Sequence, residues 1–190
     1  MEEKQLELRA YFFVPYNISS MQRGIQTKHA FDEYLLKYGR DNPEHIVWDY
    51  MKNHKTVIIL NGGTTNIRRE LGTGISLGSL NQIGDSLLEN EIEFSYFEEP
   101  DLNDALTAVC FIADERVWNY EDYPDFVNYL IQTELPKRKI LTSQEIIEIR
   151  MTPLEDLQII DYAIEYHRWI YFIGEKNIFL RELIRGKKLA

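Results

Sequence analysis

Four polar stretches hold residue types that do chemistry. Gln26 and His29 are three positions apart, one turn of a helix. Glutamine bonds ligands through both ends of its amide, and histidine titrates near neutrality and so can act as a general base. Asn61-Gly62-Gly63-Thr64-Thr65-Asn66 follows an apolar run; its glycines permit close backbone approach and its N–H groups can face an anion. Glu98, Glu99 and Asp101 fall within four positions, enough for a carboxylate base with a neighbour, or for a clamp on ribose hydroxyls. Asn17, Ser19 and Ser20 follow Pro15 and can cap a helix with a side-chain oxygen. The loop 61–66 is not a P-loop, because no Gly-Lys-Ser/Thr follows at the required spacing. His29, His45, His54 and His167 show no ligand spacing, and no HExxH or CxxC occurs, so neither a metal nor a cofactor is expected.

The elements that must position these residues read as follows. Leu8 to Pro15 is a short buried strand. A helix follows, packed through Gly24, Thr27, Phe31, Tyr34, Leu35 and Tyr38 and ended by Gly39. A second short helix covers Pro43 to Asn53, with Ile46, Val47 and Tyr50 inward. Lys55 to Leu60 is a strand whose continuous apolar run predicts cover on both faces. Residues 67 to 78 read as a mobile excursion. A helix over 79–90 turns Leu80, Ile83, Leu87 and Leu88 to one side, and strands at Ile92–Phe97 and Ala105–Ala113 flank a tight turn at 98–104. Strands joined through helices run parallel, and the short turn makes the last strand antiparallel to the third. The expectation is an α/β fold: a small four-stranded mixed sheet with flanking helices over residues 1–115.

Beyond Glu115 the pattern is helical, at 125–132, 143–149, 154–172 and 177–184. Leu154, Leu157, Ile160, Ile164, His167 and Tyr171 form an apolar stripe on the third of these. Residues 116–190 are expected to be a helical extension packed on the core. Cys110 and His167 are read as core residues.

Ligands of open α/β sheets sit beyond the carboxyl ends of the parallel strands. Asn17 and Ser20, the 61–66 loop, Glu98, Asp101 and the start of the fourth strand at Thr107 all fall at that end, together with two helix N-termini.

These residues resemble a family. Gly24-Ile-Gln-Thr-Lys-His-Ala30 is similar to the Gly-Lys-Ile-Ala-x-Gln-x-x-His-Ala region of type 2 peptidyl-tRNA hydrolases. The resemblance continues in Lys55-Thr-Val-Ile-Ile-Leu60, in Asn90-Glu-Ile-Glu-Phe-Ser-Tyr-Phe-Glu-Glu-Pro-Asp-Leu102 and in Leu106-Thr-Ala-Val-Cys-Phe-Ile112. It covers residues 8 to 115, in matching order. It implies a mixed four-stranded sheet and hydrolysis of the ester between a peptide and the 3′ end of tRNA. By position it implies functional roles for Gln26, His29, an acid among Glu98, Glu99 and Asp101, and Thr107. The family's lysine position falls on Gln22, with Arg23 adjacent. Glutamine supplies no positive charge, so Arg23 or Lys28 substitutes or the chemistry is gone.

Charge bounds the partners. The chain of 190 residues has 21 Lys+Arg against 31 Asp+Glu, a net charge of −10. Residues 1–115 hold 10 of the basic and 19 of the acidic side chains. High-affinity nucleic-acid binders usually carry a basic footprint; a local basic face can survive inside this total, but the net acidity sets the expectation against RNA as a high-affinity partner. One cysteine excludes a disulfide framework, and no apolar run suits a membrane span, so a cytoplasmic protein is expected.

Three readings remain open. In the first, an esterase of peptidyl-tRNA uses His29 or a 98–101 carboxylate to activate water, with the N–H groups of Gly63, Thr64 and Thr65 or of the first helix at the oxyanion. In the second, a non-catalytic module holds a small nucleotide or a nucleotide-derived signal, with Asn17, Ser20, Gln22, Arg23, Asn61 and Gly62 to Thr65 near the phosphates. Tyr16, Tyr96 or Phe97 would then stack the base. In the third, the helices beyond residue 116 form a homo-oligomer or other interface.

Overall fold

Leu8–Pro15, eight residues of which all but Arg9 are apolar or aromatic, form β1 at the centre of the sheet in the computed structural model, which describes residues 5–65, 78–133 and 163–190. β2 (Thr56–Gly63) pairs parallel to it, and β4 (Ala105–Asp114) pairs antiparallel on its other side. β3 (Phe94–Glu99) closes the order β2-β1-β4-β3. The chain is thus α/β with a four-stranded mixed sheet. The third strand starts and ends two residues later than expected, and its later end takes Glu98 and Glu99 out of the turn and into the strand. The turn itself is a 3₁₀ segment, Pro100–Leu102, followed by Asn103 and Asp104 in the left-handed region.

Contacts divide the chain into two compact units. One comprises Met1–Glu115 with Glu182–Ala190, the other Arg116–Arg181.

In the first unit, α1 (Ser20–Tyr34) lies over β3 and β4 and passes into a π-turn at Leu35–Gly39. Its inward residues are Gln26, Thr27, Ala30 and Tyr34. Gly24, expected to face in, is exposed, while Phe31, Leu35 and Tyr38 pack at the margin. Ala30 and Tyr34 meet Phe12 and Val14 of β1, Ala108 and Cys110 of β4, and Val47 and Tyr50. The last two come from α2 (Ile46–Asp49) and the π-turn Tyr50–His54. His45 caps α2: its Nδ1 accepts from Val47 N–H at 3.2 Å while its Nε2 lies 2.9 Å from Glu93. This division of roles places the proton on Nε2. Ile46 was expected inward but is exposed, because a cap one residue earlier turns Val47 and Tyr50 to the core.

α3 (Ser79–Glu89) packs on the sheet through Leu80, Ile83 and Leu87, whereas Leu88, expected on that side, is exposed. Val57 is also half exposed. β2 is an edge strand, so its apolar run is not covered as a central parallel strand would be. Its outer side is partly occupied by residues 188–190. Asn61 N–H donates to Lys188 O at 2.9 Å, Ala190 N–H donates to Ile59 O at 3.0 Å, and Leu60 bridges Leu189 in antiparallel sense.

Tyr34 is fully buried, and its hydroxyl has no hydrogen-bond partner. An unpaired buried hydroxyl costs about 1–3 kcal/mol. Tyr34→Phe removes that cost and keeps the ring contacts with Tyr38 and His45. The variant should therefore be more stable than the parent, by about 1 kcal/mol in urea denaturation.

In the second unit, Phe126 and Leu130 of α4 (Phe126–Thr133) pack on Tyr166, Trp169 and Ile173 of α5 (Ala163–Ile173). α6 (Glu175–Ile184) carries Arg181, whose buried guanidinium donates to the carbonyls of Arg116, Pro124 and Tyr123. His167 and Tyr171 are exposed, which corrects the expected stripe. The three large aromatic and branched residues at 166, 169 and 173 set the buried face, about one residue step round the helix. The expected helix at 143–149, the part of 154–172 before residue 163, Asn66 and the excursion 67–77 lie outside the described residues.

Candidate functional site

Gln26 is the centre of the site. It is 5% exposed although its side chain is fully polar, and a buried amide needs partners at both ends. Its Nε2 donates to Glu99 Oε2 at 2.5 Å, and its Oε1 accepts from Thr107 Oγ1 at 2.8 Å. These partners are 73 and 81 residues away in the chain. The carboxylate can only accept, so the amide's NH₂ must face Glu99 and its oxygen must face Thr107. The hydroxyl of Thr107 also lies 3.2 Å from Phe97 O, tying the cluster to β3.

A bulge makes this arrangement possible. Phe97 pairs with Ala108 and Glu98 with Leu106, so Thr107 is the extra residue of β4. Strict alternation would point Thr107 with Val109, away from Ala108 and the α1 face. The added residue re-aims it beneath α1, as bulges do near sites.

His29 lies one turn after Gln26 and is exposed. Its ring stacks on Phe97, with centroids 4.6 Å apart and planes at 27°. Glu98 and Asp101 are exposed and make no bond to the cluster. Of the three acidic candidates, then, Glu99 alone joins Gln26 and Thr107.

The N-terminus of α1 is closed on itself. Ser19, not Ser20, is the cap: its Oγ accepts from Gln22 N–H, and Gln22 Oε1 accepts from Ser19 N–H at 3.0 Å. Gln22, at the family's lysine position, is therefore a capping residue. Arg23 Nη2 donates to Tyr16 O at 3.2 Å. Asn17 and Ser20 are exposed and outside these bonds.

Asn61, Gly62 and Gly63, expected in a loop, are the last residues of β2, and with Thr64 they are committed internally, against the expectation of an anion cradle. Asn61 Oδ1 accepts from Gly63 N–H at 2.8 Å, and Ser79 Oγ accepts from Thr64 N–H at 2.9 Å. Ser79 N–H, at the start of α3, donates to Thr64 Oγ1 at 3.2 Å, and Leu80 N–H to Thr64 O at 2.9 Å. The donors that might have met a phosphate hold the loop to α3 instead. Tyr16 N–H donates to Gly63 O, so the loop shares the sheet end with α1. No bond joins Asn61, Gly62, Gly63 or Thr64 to the Gln26 cluster.

Gly63 has φ +83°, and a Cβ built there would lie 2.1 Å from Ser79 Oγ. Gly63→Ala should therefore cost about 1–3 kcal/mol through backbone strain alone, and more from the displaced Ser79. Thermal denaturation against a Ser79→Gly, Gly63→Ala double variant separates the two contributions.

The buried run Gln26, Ala30, Tyr34 was open to sequence reasoning as an i, i+4, i+8 stripe; reading 24, 27, 31 instead left Gln26 at the margin. The bulge at Thr107 has no signal in the sequence. Among the described residues, no three His, Cys, Asp or Glu side chains converge as metal ligands, and no helix is long and apolar enough to cross a membrane.

No protein-family model matches the chain, and no curated protein matches it either. The resemblance to type 2 peptidyl-tRNA hydrolases therefore rests on the quoted residues alone.

Proposed function

We propose that the chain hydrolyses esters of the peptidyl-tRNA type, with Glu99, Gln26 and Thr107 at the reacting face. One observation carries this reading: positions that the resemblance marks, far apart in the chain, meet in a single hydrogen-bonded cluster with His29 one helical turn away. Gln26 holds one oxygen of Glu99 and leaves the other oxygen to take a proton from water. The oxygen of that water then bonds to the ester carbonyl carbon. The bond to the ribose oxygen breaks, and the leaving oxygen takes back the proton. Gln26 and Thr107 are positioning residues in this scheme.

Incubation of the purified chain with a peptidyl-tRNA tests it. Release of peptide and deacylated tRNA is expected, with a loss of at least about 100-fold in Glu99→Gln, the scale of removing a general base. An intact ester at high protein concentration, where an authentic hydrolase cleaves it, ends the hydrolase reading.

A second reading is favoured by the closed N-terminus of α1. With Gln22 in a capping box, the lysine position offers no ammonium, which suits a module that binds a nucleotide or nucleotide-derived signal without cleaving it. Calorimetry with nucleotides and cyclic dinucleotides decides between them: binding with the ligand recovered intact supports the second reading.

A further inference from the structure

The two edges of the sheet are treated differently. The outer side of β2 is bonded by residues 188–190. Among the described residues, β3 at the other edge is covered only at its beginning. Phe94 N–H donates to Tyr38 Oη at 3.2 Å, and Phe94 O accepts from Tyr38 Oη at 3.0 Å and from Lys37 Nζ at 3.2 Å. Those bonds show that the Phe94 main chain faces outward. Antiparallel pairing alternates, so the main-chain groups of Tyr96 and Glu98 face outward as well, and those of Ser95 and Phe97 face β4. The position of Phe97 O, 3.2 Å from Thr107 Oγ1 of β4, agrees with this phase. Four main-chain groups, the N–H and C=O of Tyr96 and Glu98, are thus left without a partner among the described residues.

A groove of about 570 Å³ runs beside this edge, lined by Glu33, Leu36 and Lys37 at the end of α1 and its π-turn, and by Tyr96, Phe97 and Glu98 of β3. Leu36 and Tyr96 are exposed there, at 55% and 51%. An exposed strand edge beside a helix is the geometry of strand addition, in which main-chain bonds give affinity and alternate side chains enter a groove. Unprotected edges are otherwise an aggregation hazard that folds blunt, as Tyr38 and Lys37 do at Phe94 alone. The charges fix the chemistry of the occupant. Glu33 and Glu98 are two carboxylates on the rim, and the one ammonium, Lys37, is held by Phe94 O and over the rings of Tyr38 and Phe94. The open direction leads from Tyr96 through Glu98 to Glu99.

We propose that the edge of β3 binds an extended peptide bearing basic side chains as an added strand. That this peptide is the acyl half of the ester, threaded toward Glu99, rests on the hydrolase reading; the strand addition itself does not.

The test uses the full chain and the acetylated, amidated, dye-labelled peptide Val-Lys-Val-Lys-Val, followed by fluorescence anisotropy. Saturable binding is expected. Methylation of the amide nitrogens that face the edge should weaken it at least tenfold, while methylation of the alternate nitrogens should leave it within twofold. This period of two separates strand addition from simple attraction to the carboxylates. Tyr96→Pro, which removes one outward N–H from an edge strand, should weaken binding by a similar factor with an unchanged circular dichroism spectrum. Absence of binding, binding equally sensitive to every methylation, or a dimer in light scattering that Tyr96→Pro dissolves would each overturn the proposal. Peptide binding without ester cleavage retires the hydrolase reading alone. Cleavage at equal rates for short acyl and pentapeptidyl esters, with no period of two, retires the strand addition alone.

Discussion

Gln26→Glu is expected to destabilise the first unit by about 3–5 kcal/mol at pH 7, the cost of a buried charge left uncompensated. The substitution keeps the shape of the side chain and changes only its chemistry. Gln26 is 5% exposed and donates to Glu99; a glutamate there sets one carboxylate against another. Two such groups cannot both ionise cheaply, so one carboxyl is pushed above its ordinary range. The sign of the pH effect follows. A carboxyl raised in the folded state leaves stability intact below its unfolded pKa, about 4.3, and removes it as pH rises. The variant should therefore approach the parent's stability near pH 4 and fall away from it toward pH 7. Urea denaturation of both proteins across that range checks the prediction. A pH-independent difference would mean that Gln26 matters by packing and not by its bond to Glu99. Under the proposed hydrolase function, peptidyl-ester cleavage is lost as well, even at a temperature where the variant is folded.

Alkaline solution should unfold this protein earlier than its surface charge alone would suggest. Burial pushes the Cys110 thiol well above its ordinary value, with a hydrogen bond from Ser95 opposing only part of the effect. Burial likewise raises Tyr34, helped by the nearby Glu93 and Cys110, and it pushes Tyr50 up to about 12. All three belong to one packed cluster between α1, the second π-turn and the sheet. Each is an acid whose neutral form is favoured by folding, so its contribution is whole below the unfolded pKa and is lost as pH rises above it. Each group then costs about 1.4 kcal/mol per pH unit while it is ionised only in the unfolded chain. The loss begins near 9.0, the ordinary value for the thiol, and steepens above 10.0, the ordinary value for the two phenols. Stability measured in urea from pH 7 to 11 should show both breaks. Cys110→Ala should remove the first break, and Tyr34→Phe should lessen the slope of the second. A thiol reagent should fail to label Cys110 until the chain unfolds.

Much of the architecture was legible in the residues themselves. The strand at Leu8–Pro15, the run ending at Leu60, the helix over 79–89 and the short turn before Ala105 are local signals, because a single stretch carries its own periodicity and punctuation. Parallel pairing of β1 with β2 and antiparallel pairing of β3 with β4 follow from the lengths of the connections between them. Gln26 and Thr107 were singled out through the resemblance, and Glu99 was one of three acidic candidates with Glu98 and Asp101.

What the sequence did not contain was the relation between those residues. The face of α1 that points inward depends on what it meets: Ala30 and Tyr34 fit against Ala108 and Cys110, and Gln26 follows one turn before them. Glu99 was chosen over Glu98 and Asp101 because the strand runs on through it and it shares the α1-facing side with Ser95 and Phe97. Thr107 turned toward Gln26 through one extra residue in β4. Asn61–Thr65 read as a loop open to an anion, whereas Asn61–Gly63 form the end of β2 and Thr64 is bonded to Ser79. Local periodicity determines elements because neighbouring residues share a backbone geometry. A hydrogen bond between residues 26 and 107 is decided only when two packed surfaces settle their register, and one inserted residue changes that register without altering any local pattern.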